Sequence, residues 1–333
     1  MLNCSFKVRR LLWGKWQRLT RWEFWPMWAV YPPIIGWLLW LALKNREWTL
    51  WANCNPALPG SGLALESKGG NLDSFKGPDG KIQRARYLRL AAHLPDGYER
   101  IIAEGFSFPL VLKPNLGQRG VGVEIIHDES SAREWLKSPA EKEGAILSLC
   151  GKHSQKVIGD GQSSLEELIL ADERAITMAG YYLKKYAKQL PRVLEKNEEF
   201  VIAPIGTHSR GAIFTDERHL VTPELVAAFD ELGARFPGFN FGRYDVKVPS
   251  VEDLIAGRNI KILELNAVTG EPAHVYQPGY SWINGMRDFF SHFERATEIG
   301  KAWRDQGVEP PTMDELWKIV MAHREKEFYE LDS

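Results

Sequence analysis

The sequence predicts an α+β fold preceded by a tryptophan-rich N-terminal segment that associates with a membrane. Short apolar runs with strand alternation, such as FPLVL at 108–112 and IKILELN at 260–266, are interleaved with helix-period stretches such as Thr222 to Phe236. Nine of the thirteen tryptophans fall between Trp13 and Trp51, around a twenty-residue run without charge, Phe24 to Leu43.

The first fifty residues form one region. Lys7, Arg9, Arg10, Lys15, Arg18 and Arg21 precede the first acid, Glu23. A cleaved signal is a poor fit, because the apolar run is long, broken by proline and lacks a small-residue cleavage site. A single transmembrane helix has the needed length, but Pro32 and Pro33 are expected to interrupt it. The positive-inside rule would also strand the rest of the chain outside the cell. The expectation is therefore a re-entrant or interfacial anchor on the cytoplasmic face of the membrane, with the basic arm on anionic headgroups. The competing reading packs this segment against the protein's own core.

Residues 51–105 are expected to form a linker and a helical subdomain: loops from Trp51 to Gly80, where Gly, Pro, Asn and Ser dominate, then a helix from Ile82 to Gly105. FPLVL is a strand, NLGQRGVG a glycine-rich turn and VGVEII the returning strand. Helices follow from Ser130 and from Leu165, the latter after GDGQSS. Val201–Ile205 and Ala212–Thr215 read as strands, and Thr222–Phe236 as a helix with Pro223 in its first turn. Phe241–Val248 and Ile260–Asn266 are alternating strands that place the main domain at 106–310, with a charged closing helix at 311–333.

Composition excludes several classes. A formal charge of −1 gives no reason to expect a nucleic-acid partner. Three cysteines, Cys4, Cys54 and Cys150, without CxxC spacing argue against a disulfide framework or a zinc site. The oligomeric state is not legible.

Two constellations carry chemistry. In the first, Lys113 ends the strand PLVLK and is followed by Gly117, Gly120 and Gly122. A lysine at a strand end presents a point charge to phosphate, and a glycine-rich loop lets backbone N–H groups close on its oxygens. The order is not that of a Walker loop. In the second, GRYDV and ILELN put Arg243 and Asp245 on one face of their strand, and Glu264 and Asn266 on one face of theirs. Adjacent strands of this kind gather Asp245, Glu264 and Asn266, hard oxygen ligands suited to Mg²⁺. The bland alternative is a solvated sheet face with one salt bridge.

Together these residues resemble the ATP-grasp superfamily, the D-alanine–D-alanine ligase branch most closely, over Phe108 to Pro278. KVIGDGQSSLEELI, from Lys156, resembles a stretch of cyanophycin-synthetase-type ATP-grasp ligases. The resemblance implies two α+β subdomains clasping ATP. Lys113 and the glycine loop would hold its phosphates, Asp245, Glu264 and Asn266 would hold two Mg²⁺ ions, and Arg243 would stabilise the transferring phosphoryl group. It implies a carboxylate–amine ligase working through an acyl phosphate on small-molecule substrates; the expected anchor, by location alone, adds a substrate that is a lipid or is made at the membrane.

The sequence departs from that pattern in two places. Only about twenty residues separate Trp135 from Lys156, and no hinge for adenine is evident among them; Glu141 and Glu143 are weak substitutes. The second phosphate lysine of the family is not fixed by spacing, and Lys68 and Lys76 compete for it. His208, Arg210, Glu271 and His274 are further candidates for substrate contact. Two other functions stay open: a kinase-type phosphotransferase, and an inactive nucleotide-binding membrane scaffold.

Overall fold

The computed structural model describes residues 4–64, 67–77, 79–90, 96–114, 123–136, 145–148, 155–203 and 212–331. Contacts divide the chain into two units. One comprises residues 1–32, 152–216 and 273–285, the other 33–151, 217–272 and 286–333.

Helix α1 (Cys4–Thr20) opens the chain and α2 (Met27–Asn45) follows. The expected break at Pro32 and Pro33 is corrected: α2 runs through both prolines. The N–H groups they lack would have reached the carbonyls of Trp28 and Ala29, so two bonds are lost in the second turn while the helix continues beyond them to Asn45. By length and composition α2 is the one helix among the described residues that qualifies to span a membrane, a test that core helices of soluble proteins also pass.

Loops dominate after α2, with one short helix, α3 (Lys68–Asp73), whose N-cap Ser67 accepts from the Gly70 amide. The helix expected over Ile82–Gly105 is also corrected. The segment forms β1 (Ile82–Arg84), β2 (Tyr87–Leu90) and only then α4 (Gly97–Ala103). Pairing with distant strands decides here over local preference. Strand β3 (Leu110–Pro114), β4 (Glu124–Ile126) and α5 (Glu129–Trp135) match the sequence reading. Strand β5 (Ala145–Ser148) is not among the expected elements; it lies between Trp135 and Lys156, where no hinge for adenine is evident in the sequence.

Next come β6 (Gln155–Ile158), α6 (Leu165–Ala171), α7 (Ala179–Lys185) and β7 (Glu199–Ala203). The strand expected at Ala212–Thr215 has no regular structure. Helix α8 (Pro223–Ala234), capped by Thr222 with Pro223 at its start, is as read. The chain closes with β8 (Arg243–Lys247), α9 (Val251–Ile255), β9 (Ile260–Asn266), α10 (Trp282–Asp305) and α11 (Met313–Leu331).

In the larger unit two sheets form. One has the order β1-β9-β8, with β1 parallel and β8 antiparallel to β9. Ile82, Ile260, Ile262 and Leu265 bury one of its faces against Leu225, Ala228 and Leu232 of α8. The other sheet is antiparallel in the order β2-β5-β3-β4. Its core joins Leu90, Leu110, Leu112 and Ile126 to Ile101 of α4 and Trp135 of α5. The unit also holds an apolar groove of about 300 Å³ between Ile35, Leu38 and Leu39 of α2 and Met313, Leu316 and Trp317 of α11. No charged side chain lines it.

In the smaller unit β6 pairs antiparallel with β7, and Val157, Leu165, Ile169, Tyr182 and Ile202 form the core. The GDGQSS motif has a structural use here. The Asp160 carboxylate accepts from the Ser163 hydroxyl at 2.6 Å and from the Ser163 and Gln162 amides. These bonds, led by that of the hydroxyl, hold the carboxyl down at about 2. Ser164 and Glu167 then close a reciprocal capping box on α6.

Candidate functional site

The polar constellation lies on the sheet face turned away from α8. In β8 strict alternation achieves this: Tyr244 and Val246 pack toward the core, so Arg243 and Asp245 point the other way. In β9 the alternation breaks. Asp245 pairs with Glu264, but the next residue, Val246, pairs with Ile262, leaving Leu263 as an extra residue. Without this bulge Glu264 and Asn266 would share the buried face of Ile260 and Ile262. With it, Leu265 takes the core position and the two polar side chains reverse face. Gly242 completes the local geometry: a Cβ there would lie 2.3 Å from the Asn266 carbonyl oxygen, so only glycine permits this approach.

Arg243 pairs across the ladder with Asn266 and forks onto Asp245, with Nε 2.8 Å from Oδ1 and Nη2 3.3 Å from Oδ2. Its Nη1 donates to the Glu271 carbonyl at 2.8 Å. Burial presses the Arg243 pKa down, but the charge and hydrogen bonds of Asp245, then Glu264 and Glu271, outweigh it and raise the value. The guanidinium is a fixed cation. Asn266 Nδ2 donates to Asp245 Oδ2 at 3.3 Å, which leaves its amide oxygen as the side chain's acceptor.

Two lysines converge on Glu264 from other segments. Lys113 Nζ, on β3, lies 3.9 Å from Oε2, and Lys68 Nζ, at the start of α3, lies 4.0 Å from Oε1. Lys113 is 6% exposed and donates to the Leu263 carbonyl at 3.3 Å, so the bulged residue is itself part of the site. The lysine–carboxylate separations are too long for direct hydrogen bonds and leave room for an intervening oxygen. Three cations, Lys68, Lys113 and Arg243, therefore surround two carboxylates, Asp245 and Glu264.

Of the residues expected from the sequence, the fold brings Lys68, Lys113, Arg243, Asp245, Glu264 and Asn266 together. Glu271 contributes its backbone carbonyl to Arg243. Lys76, the rival of Lys68, is exposed, and its amide donates to the Arg235 carbonyl at 2.7 Å. His274 belongs to the smaller unit, where its ring meets Tyr280 edge-on with centroids 5.7 Å apart. Gly117, Gly120, Gly122, His208 and Arg210 lie outside the described residues, as do Glu141 and Glu143. Sequence reasoning missed the Leu263 bulge and its carbonyl. The signal was the adjacent apolar pair Ile262-Leu263, a phase break in an otherwise alternating run.

Among the described residues no group of three His, Cys, Asp or Glu is arranged to hold a metal. An ion at this site would be held by two carboxylates and an amide oxygen and would complete its shell with water and phosphate. That is the habit of Mg²⁺ with nucleotides. The donor set fits a magnesium–phosphate ligand, provided Asp245 exchanges part of its contact with Arg243 for the ion.

No family model and no curated protein matches the sequence. Solved structures to which the chain shows similarity include a D-alanine–D-alanine ligase from Helicobacter pylori, with 12% identity over 68% of this chain and 61% of that one and a TM-score of 0.30. The VanG D-Ala:D-Ser ligase from Enterococcus faecalis aligns at 12% identity over 66% of this chain and 57% of its own, with a TM-score of 0.32. A bifunctional glutathione synthetase from Pasteurella multocida aligns at 12% over 63% and 34%, with a TM-score of 0.27. The chain spans about three fifths or less of the length of these ligases and synthetases.

Proposed function

We propose that the chain is an ATP-dependent ligase joining a carboxylate to an amine, with MgATP held by Lys68, Lys113, Asp245, Glu264 and Asn266. The observation that carries this reading is the convergence of Lys68 and Lys113 on opposite oxygens of Glu264, beside the Arg243–Asp245–Asn266 cluster. Bound there, MgATP would supply the phosphoryl group that activates a carboxylate as an acyl phosphate for displacement by the amine. The two lysines offer point charges to phosphate oxygens, and the buried Lys113 does so with little water to screen it. Arg243, held by Asp245 and the Glu271 carbonyl, keeps its charge at every working pH and can neutralise charge that builds on transferring oxygens. No side-chain nucleophile is required.

Calorimetry of MgATP with the wild type, Lys113→Ala and Glu264→Ala tests the reading. The expected result is metal-dependent binding weakened about tenfold or more by each substitution, the scale of losing a charged hydrogen-bond partner. A folded wild type that binds no MgATP refutes it. ADP release that needs a carboxylate but no amine would instead assign a phosphotransferase.

A further inference from the structure

Helix α1 has two unlike faces. One is docked within its own unit. Lys7 pairs with Glu166, and Arg10 reaches the Leu170 and Ala171 carbonyls and Glu173 at 2.7–3.0 Å. Leu11 packs on Leu170 and Ile176. At Gly14 a Cβ would lie 2.5 Å from the Ile176 carbonyl oxygen, so the helix axis rests directly on that backbone.

The opposite face is apolar and exposed. Val8, Leu12, Trp16 and Leu19 are 49%, 59%, 59% and 70% accessible. At 100° per residue they fall within about 80° of arc, with Arg9 just beyond one edge of the stripe and Lys15 just beyond the other. Trp25 extends the patch, since its indole N–H donates to the Leu19 carbonyl at 2.7 Å.

From this arrangement we infer that α1 lies in the plane of an anionic bilayer, with Val8, Leu12, Trp16 and Leu19 in the acyl boundary and Arg9 and Lys15 on headgroups. Charge selects this occupant. The segment before Glu23 holds six basic residues and no acid, and Lys7 and Arg10 are matched by the protein's own Glu166 and Glu173. Arg9 and Lys15 edge the stripe, so a second copy docked through the same face would set cation against cation. Tryptophan suits the boundary layer, where its ring is buried and its N–H stays wet. An apolar stripe together with flanking cations supplies the two signals that stable interfacial binding requires. The docked face fixes the orientation: α1 cannot turn upright across a membrane without leaving residues 166–177.

The test is flotation of the full chain, without nucleotide, on vesicles of phosphatidylcholine alone and with about 30% phosphatidylserine to supply the anionic surface. The wild type is expected to float with the anionic vesicles. Leu12→Ser with Trp16→Ser should weaken partitioning about tenfold or more through lost apolar burial. Arg9→Gln with Lys15→Gln should weaken it about fivefold per cation, on anionic vesicles only. All four positions are exposed, and an unchanged urea midpoint checks folding. A wild type that stays with the soluble fraction, or unchanged partitioning of both variants, overturns the inference. So does a lipid-free dimer in sedimentation velocity that Leu12→Ser with Trp16→Ser abolishes while vesicle binding is absent. Because nucleotide is omitted, each of these outcomes leaves the ligase reading untouched.

Discussion

Replacing Glu264 by glutamine keeps the shape of the site and removes one charge. In the wild type that charge stands 3.9 Å from Lys113 Nζ and 4.0 Å from Lys68 Nζ. At an effective dielectric of about 20, each attraction has an upper bound of about 4 kcal/mol. The Glu264 side chain is 27% exposed, so solvent screens both well below that bound. Removing one partner of a fully buried ion pair costs about 3–5 kcal/mol, and an exposed pair contributes about 0–1 kcal/mol. The site lies between these limits, so Glu264→Gln is expected to destabilise the nucleotide-free protein by about 2 kcal/mol. Urea unfolding at constant slope reads this directly as a lower midpoint. A cycle with Lys113→Met should show non-additivity of about 1 kcal/mol, because the two substitutions remove the same interaction. Tripolyphosphate without metal should rescue Glu264→Gln more than it stabilises the wild type, since the anion takes the place of the lost carboxylate. A Glu264→Gln midpoint equal to that of the wild type, with an additive cycle, would refute the argument that the lysines are held ready by this carboxylate.

Three further perturbations have expected outcomes. Glu23→Gln should cost about 3–5 kcal/mol in urea unfolding. Arg174, itself buried and with its guanidinium carbon 4.8 Å from the Phe24 ring centroid, loses its carboxylate partner. Gly242→Ala should cost about 1–3 kcal/mol and weaken MgATP binding as well, because its Cβ can be admitted only by moving the Asn266 backbone. The third concerns His292, whose pKa burial lowers despite a 2.9 Å bond to the Val268 carbonyl. The unfolded chain, near pKa 6.5, therefore takes up the proton first. Stability is fully present above about pH 6.5 and declines as pH falls toward the depressed folded value. The difference in unfolding free energy between wild type and His292→Leu should shift with that sign between about pH 7 and pH 5, and a flat difference would exclude His292 as the cause.

Elements with local signals were legible in the sequence. Thr222 and Pro223 mark the start of α8 because a cap and a fixed φ act within one turn, whatever the rest of the chain does. Residues 82–90 and 145–148 were not legible. Their strand character depends on partners far away in sequence: β1 on residues 260–262, and β5 on both β2 and β3. AILS is too short and too plain to announce itself, so the interval after Trp135 carries no sequence signal for the strand it contains. The proline pair in α2 misled for the opposite reason. A local rule predicts a break, but the two missing donors remove only two bonds from a nineteen-residue helix, which continues past them.

At the candidate site the sequence supplied the residues, and the fold supplied the reason they meet. Taken as a regular strand, IKILELN puts Glu264 on the same face as Ile260 and Ile262, which is buried against α8. A carboxylate there would have to be desolvated without a partner, at a cost far greater than a bulge. Placing the extra residue at Leu263 resolves the conflict and has a second effect. It turns a backbone carbonyl toward Lys113, so the irregularity that frees Glu264 also anchors the lysine that faces it. Lys68 had no such signature, because nothing in LESKGG distinguishes it from a solvated loop lysine. Its place beside Glu264 follows from long-range packing alone: Leu72, on the same helix, joins the core of Ile260 and Ile262 and brings the first residue of α3 to the carboxylate. The sequence narrows the second lysine to Lys68 or Lys76, and it is tertiary packing that chooses Lys68.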